Sequence, residues 1–170
     1  MIADAIKFVL TNLPAFLCLA AVVIPMFVKR GTPWPDRYLG WVLLLAVGLD
    51  GIWAGLFHVF FPALASAQIG WQPSPYEFEV GVADISYGVV AVLAFWRSLA
   101  FKTAIGLFAV LYYSGVSVGH FVQAYANGDT SPDNFGLLLI LTIARVIVLM
   151  VLLALANRGG SKRWRVPIWA

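Results

Sequence analysis

Charge is what this sequence has least of. Lysine, arginine, aspartate and glutamate make up 11% of its 170 residues, where soluble chains carry about a quarter, so an ordinary soluble domain is excluded. There is one cysteine, Cys18. With no second thiol it forms neither a disulfide nor a Cys-x-x-Cys metal site, and in its apolar surroundings it reads as a small buried residue. A nucleophile elbow, a phosphate-binding loop and a dinucleotide fingerprint are also missing. The net charge of +3 is too small for a nucleic-acid footprint, and the cations gather at segment ends rather than along one face. No nucleic-acid partner is expected.

What is present is apolar. Hydrophobic residues account for 62% of the chain and the mean hydropathy is +0.89, which points to an integral membrane protein with the lipid bilayer as its first partner. At about twenty apolar residues per crossing, the sequence predicts an all-α bundle of five transmembrane helices in a single polytopic domain. These lie near 5–28, 35–61, 75–96, 101–125 and 132–156, followed by a basic tail over 157–170. Pro14 and Pro25 are expected to kink the first helix. Its positive charges come after it rather than before it, so it reads as a retained helix and not a removable signal. The uncharged stretch after Pro62 reads as a loop. Ser74, Pro75 and Glu77 then have the spacing of a capping box at the start of the third helix, which makes Glu77 a structural residue.

The positive-inside rule sets an orientation. Lys29, Arg30, Arg37, Arg97, Lys102, Arg158, Lys162, Arg163 and Arg165, nine of the eleven basic residues, fall on one side of a five-helix arrangement. The expectation is a multi-pass protein of the inner (plasma) membrane, with its N-terminus outside and its tail, carrying Trp164 and Trp169, in the cytoplasm.

Ionisable residues within apolar segments are costly in lipid and mark candidate sites. At about 1.5 Å per residue, His58, Glu79, Asp84 and His120 share the outer half of such a bundle, while Asp50 and Arg145 lie nearer its middle. His58 stands on the face of Gly51 and Gly55. Asp84 shares a narrow face with Gly81, Gly88 and Ala91, and His120 shares one with Tyr113, Ser117 and Ala124, with Gln123 beside it. His58, Glu79, Asp84, His120 and Gln123 are therefore the expected lining of a polar pocket. Imidazole and carboxylate ligands suit a transition metal, so His58, His120, Glu79 and Asp84 are also candidate metal ligands; a hydrogen-bonded network between helices is the alternative. Asp50 and Arg145 are expected to form an intramembrane charge pair, and Trp71 and Tyr76 to belong to a lid over the pocket.

The run Gly70, Trp71, Ser74, Pro75, Tyr76, Glu79, Val80, Gly81 and Ala83, in the pattern G-W-x-x-S-P-[Phe/Tyr]-x-x-E-V-G-x-A, resembles a family of small bacterial and archaeal multi-pass membrane proteins known only as a domain of unknown function. The resemblance covers the second through fifth helices, brings no activity with it and favours Glu79 over Glu77. Three readings of function stay open. The first is a non-enzymatic protein that binds or moves a small solute, ion or proton through an outward-facing pocket. The second is a metal-dependent membrane enzyme or redox partner, and the third is a structural subunit that meets a second copy or a membrane-complex partner through its Gly-x-x-x-Gly faces.

Overall fold

The structure, a computed structural model, describes residues 1–29, 31–131 and 134–158. Arg30, Pro132, Asp133 and the tail from 159 onward, with Trp164 and Trp169, lie outside the described residues. Among the described residues seven helices succeed one another: α1 (Ile2–Thr11), α2 (Leu13–Phe27), α3 (Trp34–Phe60), α4 (Pro62–Ile69), α5 (Tyr76–Ala94), α6 (Leu99–Asn127) and α7 (Leu137–Arg158). No strand occurs among the described residues.

The first apolar segment is two helices rather than one, bent by 65° at their junction. Asn12 closes α1 by donating from Nδ2 to the carbonyl of Phe8, 2.8 Å away. Pro14 occupies the first turn of α2, where its missing N–H costs nothing. The uncharged stretch after Pro62 is also a correction, because Pro62–Ile69 is helical. Proline at the first position presets φ, the alanines and leucine after it are good helix formers, and Gly70 at φ 77 ends the helix. The last helix starts at Leu137, later than the expected 132.

The capping box at the third predicted helix is absent. Pro75 precedes α5 with no side-chain cap, Ser74 Oγ accepts only from the Tyr76 N–H at 3.3 Å, and Glu77 is buried. Its carboxylate is engaged elsewhere.

Glycines set the closest helix contact, that of α5 with α3. A Cβ on Gly55 would lie 2.6 Å from the carbonyl oxygen of Gly81, one on Gly88 would lie 2.8 Å from the backbone nitrogen of Ile52, and one on Gly48 would lie 2.7 Å from Val92. Only hydrogen fits at these positions. In its central part, Val42–Leu49, α3 widens into a π-helical segment, and the Asp50 N–H reaches the carbonyl of Leu45 five residues back. Such widened turns shift the facing of the residues after them.

Burial is inverted relative to a soluble protein. Asp50, Asp84 and Arg145 are each 5% exposed, whereas Leu111 is 74% and Ile140 64% exposed. Among the described residues α3, α6 and α7 are each long and apolar enough to cross a membrane, and α1 with α2 makes a fourth candidate if the bent pair counts as one span.

Candidate functional site

The bundle has two polar ends and a polar middle. At the end where α3 finishes and α5 begins, His58 Nδ1 stands 2.5 Å from Glu77 Oε2. Ser66, on α4, donates its hydroxyl to Glu77 Oε1 at 2.5 Å. The short helix after Pro62 thus places a donor over the carboxylate, and Glu77 is held by two helices other than its own.

Two turns deeper on α5, about 10 Å by helical rise, Asp84 accepts a hydrogen bond from the Tyr112 hydroxyl at 2.5 Å. Tyr87, one turn further, lies with its ring 4.9 Å from that of Tyr112 and its hydroxyl 3.2 Å from the Tyr113 hydroxyl. Tyr113 in turn lies under the guanidinium of Arg145, 5.3 Å from the ring centroid.

Arg145 closes the file. Its Nη1 is 2.6 Å from Asp50 Oδ2, and its Nε donates to Cys18 Sγ at 3.3 Å. The pair is incompletely satisfied: Asp50 Oδ1 and Arg145 Nη2 are buried without a hydrogen-bond partner among the described residues. Beyond it, toward the opposite end, the interior is apolar, with Leu43, Val47, Ala91, Leu149 and Leu153 buried.

A separate cluster lies at the same end as His58 and Glu77, where α6 finishes and α7 begins. The Trp71 ring packs on His120 with centroids 5.7 Å apart. His120 Nδ1 is 2.7 Å from Asn134 Oδ1, and Asn134 Nδ2 donates to the carbonyl of Asp129 at 2.7 Å. Asp129 Oδ1 accepts from the Ser131 hydroxyl at 2.6 Å and from the Ser131 N–H at 3.0 Å. Gly70, Trp71, Gln72, Gln123, Asn127 and Asp129 line a cavity of about 390 Å³.

The Ser131 hydrogen bonds, side chain first and backbone second, hold the Asp129 carboxyl below its ordinary value of 3.8, with a smaller contribution from the Trp71 indole. A lowered folded-state pKa stabilises the loop above about pH 3.8, and that contribution is lost as pH falls through the lower folded value. In hydrogen exchange, protection at Ser131 is expected to fall on acidification in the wild type. The acid step should be absent from Asp129→Asn, and its persistence there would place the titrating group elsewhere.

The profile of a family of unknown function, DUF6790, matches residues 11–162. The chain belongs to this family. No curated protein and no solved structure matches it. The matched region takes in every residue of the file from Cys18 to Arg145 and leaves out nearly all of α1.

Within this family member, the residues expected to share one pocket divide. His58 and Asp84 belong to the file, with Glu77 where Glu79 was expected. His120 and Gln123 belong to the Trp71 cluster, in which Asn127 donates to Gln123 Oε1. Glu79 is exposed. Tyr76 is 69% exposed, while Trp71 packs on His120. Among the described residues no group of three or more His, Cys, Asp or Glu side chains has metal-holding geometry, and the four candidate ligands do not converge.

The sequence did not single out Ser66, Tyr87, Tyr112, Asn134 or the sulfur of Cys18 as parts of a site, gave Glu77 a capping role and placed Tyr113 with His120. One signal was available. Glu77 lies four residues before Gly81 and seven before Asp84, on the same helical stripe; the capping spacing gave it another explanation. Tyr87 likewise comes three residues after Asp84.

Proposed function

We propose that this protein is a non-enzymatic plasma-membrane protein that admits a proton or a small polar solute from outside, along the file His58–Glu77, Asp84, Tyr112, Tyr87 and Tyr113, to the Arg145–Asp50 pair. The observation that carries this is the pair itself. Two buried, oppositely charged groups each keep one polar atom without a partner among the described residues, below Asp84 and the three tyrosines, with His58 and Glu77 two turns above Asp84. A purely structural pair would be expected to have its valences filled within the protein. The π-helical segment immediately before Asp50 supports the reading, since such segments gather at functional sites. The apolar interior beyond Arg145 makes this a one-sided pocket rather than an open channel.

In this reading α5 also crosses, third in chain order, and makes five crossings with the four candidate spans. Its three acids keep it from resembling a lipid-facing helix, but it packs along both the π-helical segment and the final part of α3 and against α6, and so shares their depth. The basic end faces the cytoplasm and the N-terminus lies outside. The metal-dependent reading receives no support from the donor geometry. The structural-subunit reading has one observation in its favour, that a Cβ on Gly115 or Gly119 would meet nothing within 4 Å, leaving that small-residue face bare for a second copy or another membrane chain.

Cysteine accessibility tests the pocket. In a Cys18→Ala background, His58→Cys and Asp84→Cys are expected to react with a hydrophilic, membrane-impermeant thiol reagent added outside intact cells, while Val47→Cys, in the apolar core, stays unlabelled. Labelling of both no faster than the Val47→Cys control would overturn the proposal. Infrared titration then reads the proton: a carboxylic carbonyl band should disappear in Asp84→Asn and persist in Glu79→Gln.

A further inference from the structure

The opposite end of the bundle holds a second feature that the file does not use. A cavity of about 230 Å³ opens where α3 starts and where the turn between α5 and α6 lies; its lining includes Asp36, Arg37, Trp96, Arg97, Ser98 and Lys102. Three of these are cations and one is an acid. The acid is already engaged, because Lys102, 6% exposed, donates from Nζ to Asp36 Oδ1 at 2.7 Å. Arg37 and Arg97 make no ion pair among the described residues. Arg37 Nε is buried with no hydrogen-bond partner among the described residues, and its guanidinium lies 5.8 Å from the Tyr38 ring centroid. Arg97 is exposed on the turn.

Two further observations set the chemistry and the level of this cavity. Ser98 caps the 29-residue helix α6 by accepting from the Phe101 N–H at 3.4 Å. The positive end of that helix therefore opens on the cavity and adds to the attraction for an anion. Trp34 and Trp96, 54% and 62% exposed, border the same end, and exposed tryptophans at the ends of apolar helices mark the headgroup level of a bilayer.

We propose that this cavity binds a phosphate-bearing anion, held by Arg37 and Arg97 with Lys102 and the α6 terminus behind them. Guanidinium groups take phosphate oxygens in a two-pronged fashion that a dispersed surface charge does not reproduce. The phosphate comes either from an anionic lipid headgroup or from a soluble ion. This inference stands apart from the pocket at the other end and does not depend on it.

The test uses the full chain purified in a neutral detergent, with two probes. Native mass spectrometry compares retention of phosphatidylglycerol with that of phosphatidylcholine, and thermal unfolding is followed in rising inorganic phosphate at constant ionic strength. Saturable retention of phosphatidylglycerol alone assigns the site to a lipid, and saturable stabilisation by inorganic phosphate assigns it to a soluble ion. In either case Arg37→Gln and Arg97→Gln should each weaken binding about tenfold, the loss of one charge-assisted contact. Lys7→Gln, on exposed α1, should leave binding unchanged. Because Arg97 is exposed, its variant should unfold at the wild-type temperature without ligand, which separates lost binding from lost folding. Binding of neither probe, or binding that both arginine variants leave untouched, overturns the proposal.

Discussion

Arg145→Leu is expected to destabilise the folded protein by about 3–5 kcal/mol, because it strands the Asp50 carboxylate in the interior. Arg145 is the only cation with which Asp50 makes an ion pair among the described residues, and Asp50 Oδ1 already has no partner among them. The same change removes the donor to Cys18 and the cation over Tyr113. Replacing both members, Asp50→Leu with Arg145→Leu, is expected to recover most of the loss, since an apolar pair leaves no charge behind. The measurement is a double-mutant cycle on thermal unfolding in lipid nanodiscs. A double variant as unstable as the two single losses added together would show that the residues do not act as a pair. If the double variant folds but Asp84→Cys in that background no longer labels from outside, the pair also keeps the pocket open.

A comparable loss is expected on the glycine face. Gly55→Ala is expected to cost about 1–3 kcal/mol, the range for forcing extra volume into a filled contact, and Gly55→Val more. The added Cβ would stand 2.6 Å from the Gly81 carbonyl oxygen and 2.9 Å from the Ile85 backbone nitrogen, and backbone cannot swing aside as a side-chain tip can. Gly115→Ala and Gly119→Ala are the comparison, with nothing within 4 Å of either added carbon; in a monomer they should be neutral or slightly stabilising through helix propensity. Yield of monodisperse protein and the midpoint of thermal unfolding read both. Equal losses at Gly55 and Gly115 would mean that the α3–α5 crossing is not what the glycines serve, or that a partner covers Gly115.

These two sites show how far the sequence could be read. The stripe of Gly81, Asp84, Gly88 and Ala91 was visible as a helix face, because i, i+3 and i+7 spacing depends only on the 3.6-residue turn. The choice between the two Gly-x-x-x-Gly spacings was not visible. Gly51 and Gly55 press on α5, whereas Gly115 and Gly119 are bare, and no local property of either pair says which neighbour stands opposite. Glu77 and Glu79 make the same point. They are two residues apart, so they face different directions on a helix, and only the position of α4 and α3 made Glu77 the one that meets Ser66 and His58.

The sequence by itself determined the class: little charge, long apolar segments and helix-length periodicity leave a helical chain suited to a membrane, with its ionisable residues turned inward because lipid cannot solvate them. It also determined that Asp50 and Arg145 lie within apolar segments. Tertiary structure decided the partners. The bend before Pro14 and the π-helical segment before Asp50 re-aim the residues that follow them on their own helices, and packing of α5 and α6 against those helices brings three tyrosines to the charged groups and leaves Glu79 exposed. Local propensity fixes a residue's helix and its side of that helix. Which residue stands opposite depends on packing between segments far apart in the chain, and a single sequence carries no direct record of that.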